Sequence, residues 1–294
     1  MYQCSEYVEG SEPFKVLIAS PHGSIGEPFF EAFKDIAEHT QIQEHWQTFK
    51  TYLKIEQDYG ANELSHRLAS ALLDLGIPSM VMEMEYPRAI VDGGRVMDHC
   101  LRNALPLDLE SHFEADFRKM HQKSLAHLST LHEKIQRQQG LVIDMHTMAS
   151  FSPMNDGKIE TQKESFEGLK EYCEQFLNAP KTEENMRYLD IITEDGNGNY
   201  IADRELAEGI ALGLKAEGVA YKENIPYYAY PAFLMHTHLT TCPGVAIDVP
   251  KHYIASYKHL DDFMLDCIQL DLNKIDRLVE VFANAIKRRL DDKT

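Results

Sequence analysis

LVIDMHT, residues 141–147, carries a single acid, Asp144, in an otherwise apolar run and reaches a histidine, His146, near its end. A run with so little charge on either face reads as a strand buried on both sides, the habit of parallel sheets held between helix layers. The charged stretch before it, from about 109 to 139, repeats its apolar residues at helical spacing, and Gly140 separates the two. The same grammar recurs in both directions. KVLIAS (15–20) predicts a strand that ends at the loop Pro21-His22-Gly23-Ser24, and DYGANELSHRLASALLDL (58–75) predicts a helix stopped by Gly76-Ile77-Pro78. SMVMEM (79–84), RAIVD (88–92), YLDIIT (188–193) and GVAIDV (244–249) predict further strands. A helix is predicted over 204–217, and a last one from about 258 to 289 with a break near its middle. The alternation predicts one α/β domain over 1–294, a mixed, mostly parallel sheet flanked by helices. The polar stretch 150–185 reads as an insertion or cover over the site, not a second domain.

The 294 residues are 44% hydrophobic and 26% charged, which suits a folded globular chain. Acids outnumber bases 47 to 29, a formal net charge of -18 that repels a phosphate backbone and argues against a nucleic-acid partner. The five cysteines are scattered with no CxxC pair, so neither a thiolate zinc site nor a disulfide framework is indicated. The polar, acidic start MYQCSEYVEGSEPF and the shortness of every apolar run predict a cytoplasmic protein with no membrane partner. Oligomeric state is not encoded in any pattern we recognise.

His22 and His146 follow the ends of two predicted strands, where open α/β sheets bind ligands. If those strands are parallel neighbours, the imidazoles meet across one sheet edge, an arrangement suited to zinc, with Asp144 able to orient His146. Asp248 ends a buried strand, where a carboxylate is costly unless paired or at work. EDGNGNYIADREL (194–206) imitates a calcium loop through Asp195, Asn197, Asn199 and Glu205. It is one residue short and lacks the glycine of the sharp turn, so an Asn-Gly turn entering a helix explains it better.

Five segments in order resemble the N-formylglutamate amidohydrolases, a family related to zinc carboxypeptidases and acylases. SPHGS (20–24) is similar to their PHSG-type motif, and DYGANELSHRLASALLDLG to their helix opened by an Asp. YPRAIVDGGR (86–95) resembles their PRxxxDxNR segment, VIDMHTMAS (142–150) their IDxHSM strand end, and GVAIDVPKHYI (244–254) their late acidic strand. The resemblance spans about 15–255 and implies a zinc-exopeptidase-like, phosphorylase/hydrolase-like fold. It implies one Zn2+ per chain on His22, His146 and an acid. Asp58 matches the family's helix-opening Asp, with a helix N-cap as its bland role, and Glu27 in the His22 loop is the rival. It further implies that Arg88 and Arg95, with Asp92 between them, present the planar guanidinium fork to a substrate carboxylate, and that His236 faces the substrate. Asp248 would act as general base and then acid, and His238 or His236 would bond the oxyanion. Two departures stand out: Gly94 replaces the family's Asn before Arg95, and Asp248 stands where Glu is usual.

The expected activity is metal-dependent removal of an N-formyl or other N-acyl group from an acidic amino acid, with a small anionic amide as partner. Two alternatives stay open: a zinc carboxypeptidase or amidase acting on a peptide or cell-wall fragment, and a catalytically inactive homologue that binds a metal or metabolite.

Overall fold

The computed structural model describes residues 6–10, 12–152, 165–256 and 269–292. Strands β1 (Glu6–Gly10) and β2 (Val16–Ser20) lead into short helices α1 (Glu27–Ala32), α2 (Lys34–Glu38) and α3 (Thr40–Glu44), then α4 (Trp46–Glu56) and α5 (Ala61–Asp74). There follow β3 (Ser79–Met84), the long α6 (Leu107–Arg137), β4 (Leu141–Met148), α7 (Leu169–Leu177) and β5 (Leu189–Ile192). The chain continues through α8 (Arg204–Ala216), β6 (Tyr221–Glu223), α9 (Leu234–Thr241), β7 (Gly244–Pro250), the small pair β8 (Ala255–Ser256) and β9 (Gln269–Leu270), and α10 (Leu272–Asp291).

Seven strands form one sheet in the order β1-β3-β2-β4-β7-β5-β6. Its centre, β3-β2-β4-β7, is parallel, while β1 runs against β3 and β5 runs against β7. The expected mixed, mostly parallel sheet is therefore present. Side chains alternate across it. Val16, Ile18, Ile143, Met145, Val245 and Ile247 pack with Leu64 and Leu68 of α5, Ile210 of α8 and Phe282 of α10. Leu17, Met82 and Val142 pack on the opposite face with Phe29, Phe33 and Phe49 of the early helices and Phe117 and Leu131 of α6. Asp144 and His146 share the Val142 side of β4, so the chemistry lies on the face covered by α6 and α9.

Three expectations need correction. RAIVD is not a strand: Ile90 and Val91 both donate to the Pro87 carbonyl, wrapping the segment into a turn, and one isolated bridge joins Val91 to Leu101. Asp58 does not open α5, whose N-cap is Gly60 at φ 93°, so its carboxylate is free of capping duty. The last helix begins at Leu272 after β9; residues 257–268 of its expected span lie outside the described residues, as do 153–164 of the expected cover. The calcium-like loop is a turn, in which Asp195 accepts from the backbone N–H groups of Asn197 and Asn199 and from the Asn199 amide.

Candidate metal centre

Three buried side chains, two from loops and one from a strand, converge at the carboxyl edge of the parallel strands. His22 follows β2, His146 lies near the end of β4, and Asp58 sits between α4 and α5. The Asp58 N–H donates to the His22 carbonyl at 3.1 Å, and the Gln57 amide donates to the Gly23 carbonyl at 2.8 Å, which stitches two of these loops together. One Asp58 oxygen lies 3.0 Å from His146 Nδ1 and 3.4 Å from His22 Nδ1, and the two rings are 5.0 Å apart. A donor atom from each residue lies within 4.8 Å of the others.

The opposite nitrogen of each ring faces a second carboxylate. His22 Nε2 is 2.7 Å from Asp92, and His146 Nε2 is 3.1 Å from Asp144. This arrangement aims both Nδ1 atoms at one point and raises their basicity as ligands. The His22 Nδ1 is buried and makes no hydrogen bond. Burial disfavours the Asp58 carboxylate, but the nearby His22, the hydrogen bond with His146 and the Arg88 charge outweigh it and hold the carboxyl far below its usual range. Burial likewise opposes charge on His146, yet Asp144 and Asp58 raise its pKa well above the ordinary value. A site that gathers a proton between two carboxylates suits a divalent cation in its place. Two nitrogens and one oxygen are a donor set that fits zinc.

Beside this centre is a cluster of guanidinium groups. Arg88 Nη1 donates to the other Asp58 oxygen at 3.2 Å, while its buried Nε makes no hydrogen bond. Arg95 donates to Asp92 at 3.3 Å and lies 3.8 Å over the Phe233 ring. Arg102 bridges Asp92 at 3.2 Å and Glu56 at 2.9 Å, and the Tyr172 hydroxyl of α7 also donates to Glu56. Asp92, read from the sequence as a substrate contact, is thus wholly buried against His22 and these arginines.

Asp248 sits opposite His146 in the β4–β7 register, and Asp190 of β5 sits opposite Asp248. Burial first, and the Asp58 charge second, push the Asp248 carboxyl up to about 7. One of its oxygens is buried without a hydrogen bond. Asp190, whose carboxyl burial pushes up to about 6, accepts from the N–H groups of Ile225 and Tyr227. Lys251, just past β7, is buried and donates to the Gln57 carbonyl at 2.9 Å.

The remaining candidates stand apart. Glu27 is exposed at the start of α1, which leaves Asp58 as the acid of the group. His238 of α9 is buried behind Asp144, 3.7 Å from its carboxylate, with its ring 5.0 Å from that of His132. His236 is half-buried on the same helix, with no side-chain hydrogen bond to the group among the described residues. A cavity of about 510 Å³ near β1 and β3 is lined by Glu9, Glu83, Glu85 and His66, with three carboxylates and neither Lys nor Arg to receive an anion. At Gly94, a Cβ would stand 2.6 Å from His22 Nε2, so the amide side chain typical of the motif has no room here. Glu56, Arg102 and Lys251 were not foreseen; the one signal for Arg102 was a third arginine just past the Arg88–Arg95 segment.

No model of a known protein family matches the sequence, and no curated protein matches it. Among solved structures, a gene product of Agrobacterium tumefaciens aligns with a TM-score of 0.54 and 11% identity, covering 100% of this chain and 96% of that one. An N-formylglutamate amidohydrolase from Ralstonia eutropha aligns with the same TM-score and identity, covering 98% of each chain. The fold is shared over the full length, at an identity that speaks for the fold alone.

Proposed function

We propose that this chain, which has the fold of an N-formylglutamate amidohydrolase, hydrolyses an N-acyl amide of an acidic amino acid with one divalent metal, zinc, per chain. The carrying observation is the convergence of His22 Nδ1, His146 Nδ1 and Asp58, each imidazole backed by its own carboxylate. A cation held there supplies Lewis acidity, polarising the acyl oxygen and making water a stronger acid.

The chain's own residues supply the rest. Asp248 takes a proton from the attacking water as the new C–O bond forms, then returns it to the amine nitrogen as the C–N bond breaks, releasing a carboxylic acid and an amino acid. Its raised carboxyl suits that exchange near neutral pH. Arg88 and Arg95 hold the substrate carboxylate; the Arg88 Nε, which makes no hydrogen bond and is paired with Glu56 and Asp92 only at 3.6 and 3.8 Å, supports this role. Asp92 and Asp144 fix the tautomers of His22 and His146. Residues 165–185 of the polar segment act as a cover of the single domain, supported by the Tyr172–Glu56 bond. The partner is a small anionic amide. No described helix is long and apolar enough to cross a membrane, and the acidic chain suits the cytoplasm.

The test is release of formate or acetate from N-formyl- and N-acetylglutamate by zinc-loaded protein, before and after chelation. Chelator-sensitive turnover supports the reading; no turnover of any N-acyl amino acid by zinc-loaded protein overturns it. The thiols of Cys100, Cys173 and Cys242, which burial pushes up to about 11, give thiol reagents no purchase on the described core. Gly94 favours a second reading, a carboxypeptidase or amidase on short peptides, because it removes a side-chain contact to the substrate. Preference for γ-linked or terminal peptide amides in the same panel would select it.

A further inference from the structure

His238, the imidazole expected to face the substrate oxygen, lies behind Asp144, and His236 makes no bond to the group. What stands near the centre instead is Lys251, three residues after Asp248 and only 7% exposed. Its ammonium donates to the carbonyl of Gln57, the residue before Asp58, and the Gln57 amide in turn holds the loop of His22. Lys251 is thereby fixed to the two loops that carry metal-ligand candidates.

The charged groups acting on it are Asp58, Asp248, Glu56 and Arg88, from the α4–α5 loop, β7, α4 and the 87–91 turn. No carboxylate forms an ion pair with it among the described residues. An ammonium has three donors, and the Gln57 carbonyl uses one. A buried cation with donors to spare and no ion pair is costly to keep in a fold unless it meets an anion there. Arg88 is already bonded to Asp58. Arg187, whose Nε is also buried without a hydrogen bond, is the other cation acting on Asp248. Lys251 differs from it in being tied through Gln57 to the loops of Asp58 and His22.

We propose that Lys251 is a catalytic residue whose ammonium donates to the acyl oxygen of the substrate as that oxygen becomes negative. This rests on the hydrolase reading above. When water attacks, its oxygen bonds the acyl carbon, the C=O pair moves to the acyl oxygen, and Lys251 stabilises that charge. When the C=O bond re-forms, the amine leaves with the proton carried by Asp248. A fixed donor aimed at charge that develops only in the transition state lowers the barrier more than it tightens substrate binding.

The experiment uses the zinc-loaded full chain and three variants, Lys251→Met, Lys251→Gln and Lys251→Arg. The probes are N-formylglutamate, its phosphonamidate analogue with tetrahedral phosphorus in place of the acyl carbon, and free glutamate. Lys251→Met is expected to lower kcat about 100-fold with KM within about threefold. It should weaken the phosphonamidate by a similar factor, keep glutamate binding and keep one zinc per chain. Lys251→Gln, which retains a donor for the Gln57 carbonyl without the charge, should behave alike and serves if the Met variant does not fold. Lys251→Arg should recover part of the loss. Equal phosphonamidate binding by wild type and Lys251→Gln overturns the inference while the hydrolase reading stands. Parallel loss of zinc, glutamate and phosphonamidate in both neutral variants also overturns it, because that marks a purely structural lysine. Wild type that neither turns over nor binds the phosphonamidate overturns the hydrolase reading and the assignment of Lys251 with it.

Discussion

Replacing Asp144 by Asn keeps the volume of a wholly buried side chain and removes one charge behind His146, 3.1 Å from its Nε2. A cation held at Nδ1 would leave the ring neutral with its proton on Nε2, where Asp144, 3.1 Å away, is the carboxylate placed to accept it. A hydrogen bond to a charged acceptor contributes about 1.5–3 kcal/mol, and a neutral one roughly half of that. The substitution should therefore cost about 1–1.5 kcal/mol of metal binding, on the order of a tenfold rise in the zinc Kd. That lies at the lower end of the 10- to 100-fold losses usual for groups that orient a ligand from behind. An Asn that turned its NH2 toward Nε2 would force the proton onto Nδ1 and cost more, so about tenfold is the floor. The assay is zinc competition against a chromophoric chelator at neutral pH, with the thermal transition of the metal-free protein as a folding control. A zinc Kd unchanged within about twofold in a folded Asp144→Asn protein would refute the reasoning, because His146 would then not need its carboxylate.

Two further substitutions probe the neighbourhood. Gly94→Ala places a methyl 2.6 Å from His22 Nε2 and should destabilise the chain by about 1–3 kcal/mol while weakening metal binding, read by melting and by zinc titration; full retention of both would show that the loop yields freely. Asp248 binds its proton more tightly in the fold than unfolded, since its carboxyl moves from 3.8 to about 7. Its contribution to stability is therefore complete below about 4 and is lost as pH rises through about 7. In metal-free protein, Asp248→Asn should flatten the fall of melting temperature over that window; an unchanged slope would contradict the assignment. The same variant, loaded with zinc, should lose about 100-fold or more in kcat.

How much of this was legible in the sequence follows from which signals are local. The buried strands under Ile18, Ile143 and Ile247 announce themselves by apolar runs with at most one charge, and His22 and His146 by standing at the ends of two of them. The direction of β5 was not legible, since LDII reads the same whether it runs with or against β7. RAIVD has a strand's composition, yet Pro87 gathers its N–H groups into a turn. Helices α1 to α3, at 5 or 6 residues each, are too short to show a period. Glu56 and Lys251 carry no local signal; only tertiary structure brings Arg102 to the first and the Gln57 carbonyl to the second. For His238 the sequence carries no mark of which side of Asp144 it will face; the fold sets it 3.7 Å from that carboxylate.

The most direct measurement is the metal content of purified protein beside that of a His22→Ala, His146→Ala double variant, with zinc added and excess removed. The account predicts near-stoichiometric zinc in the wild type and none retained in the double variant, which loses two of the three candidate ligands and keeps only Asp58. A wild type that holds no metal after zinc is supplied, or a double variant that keeps it, would contradict the account at its centre.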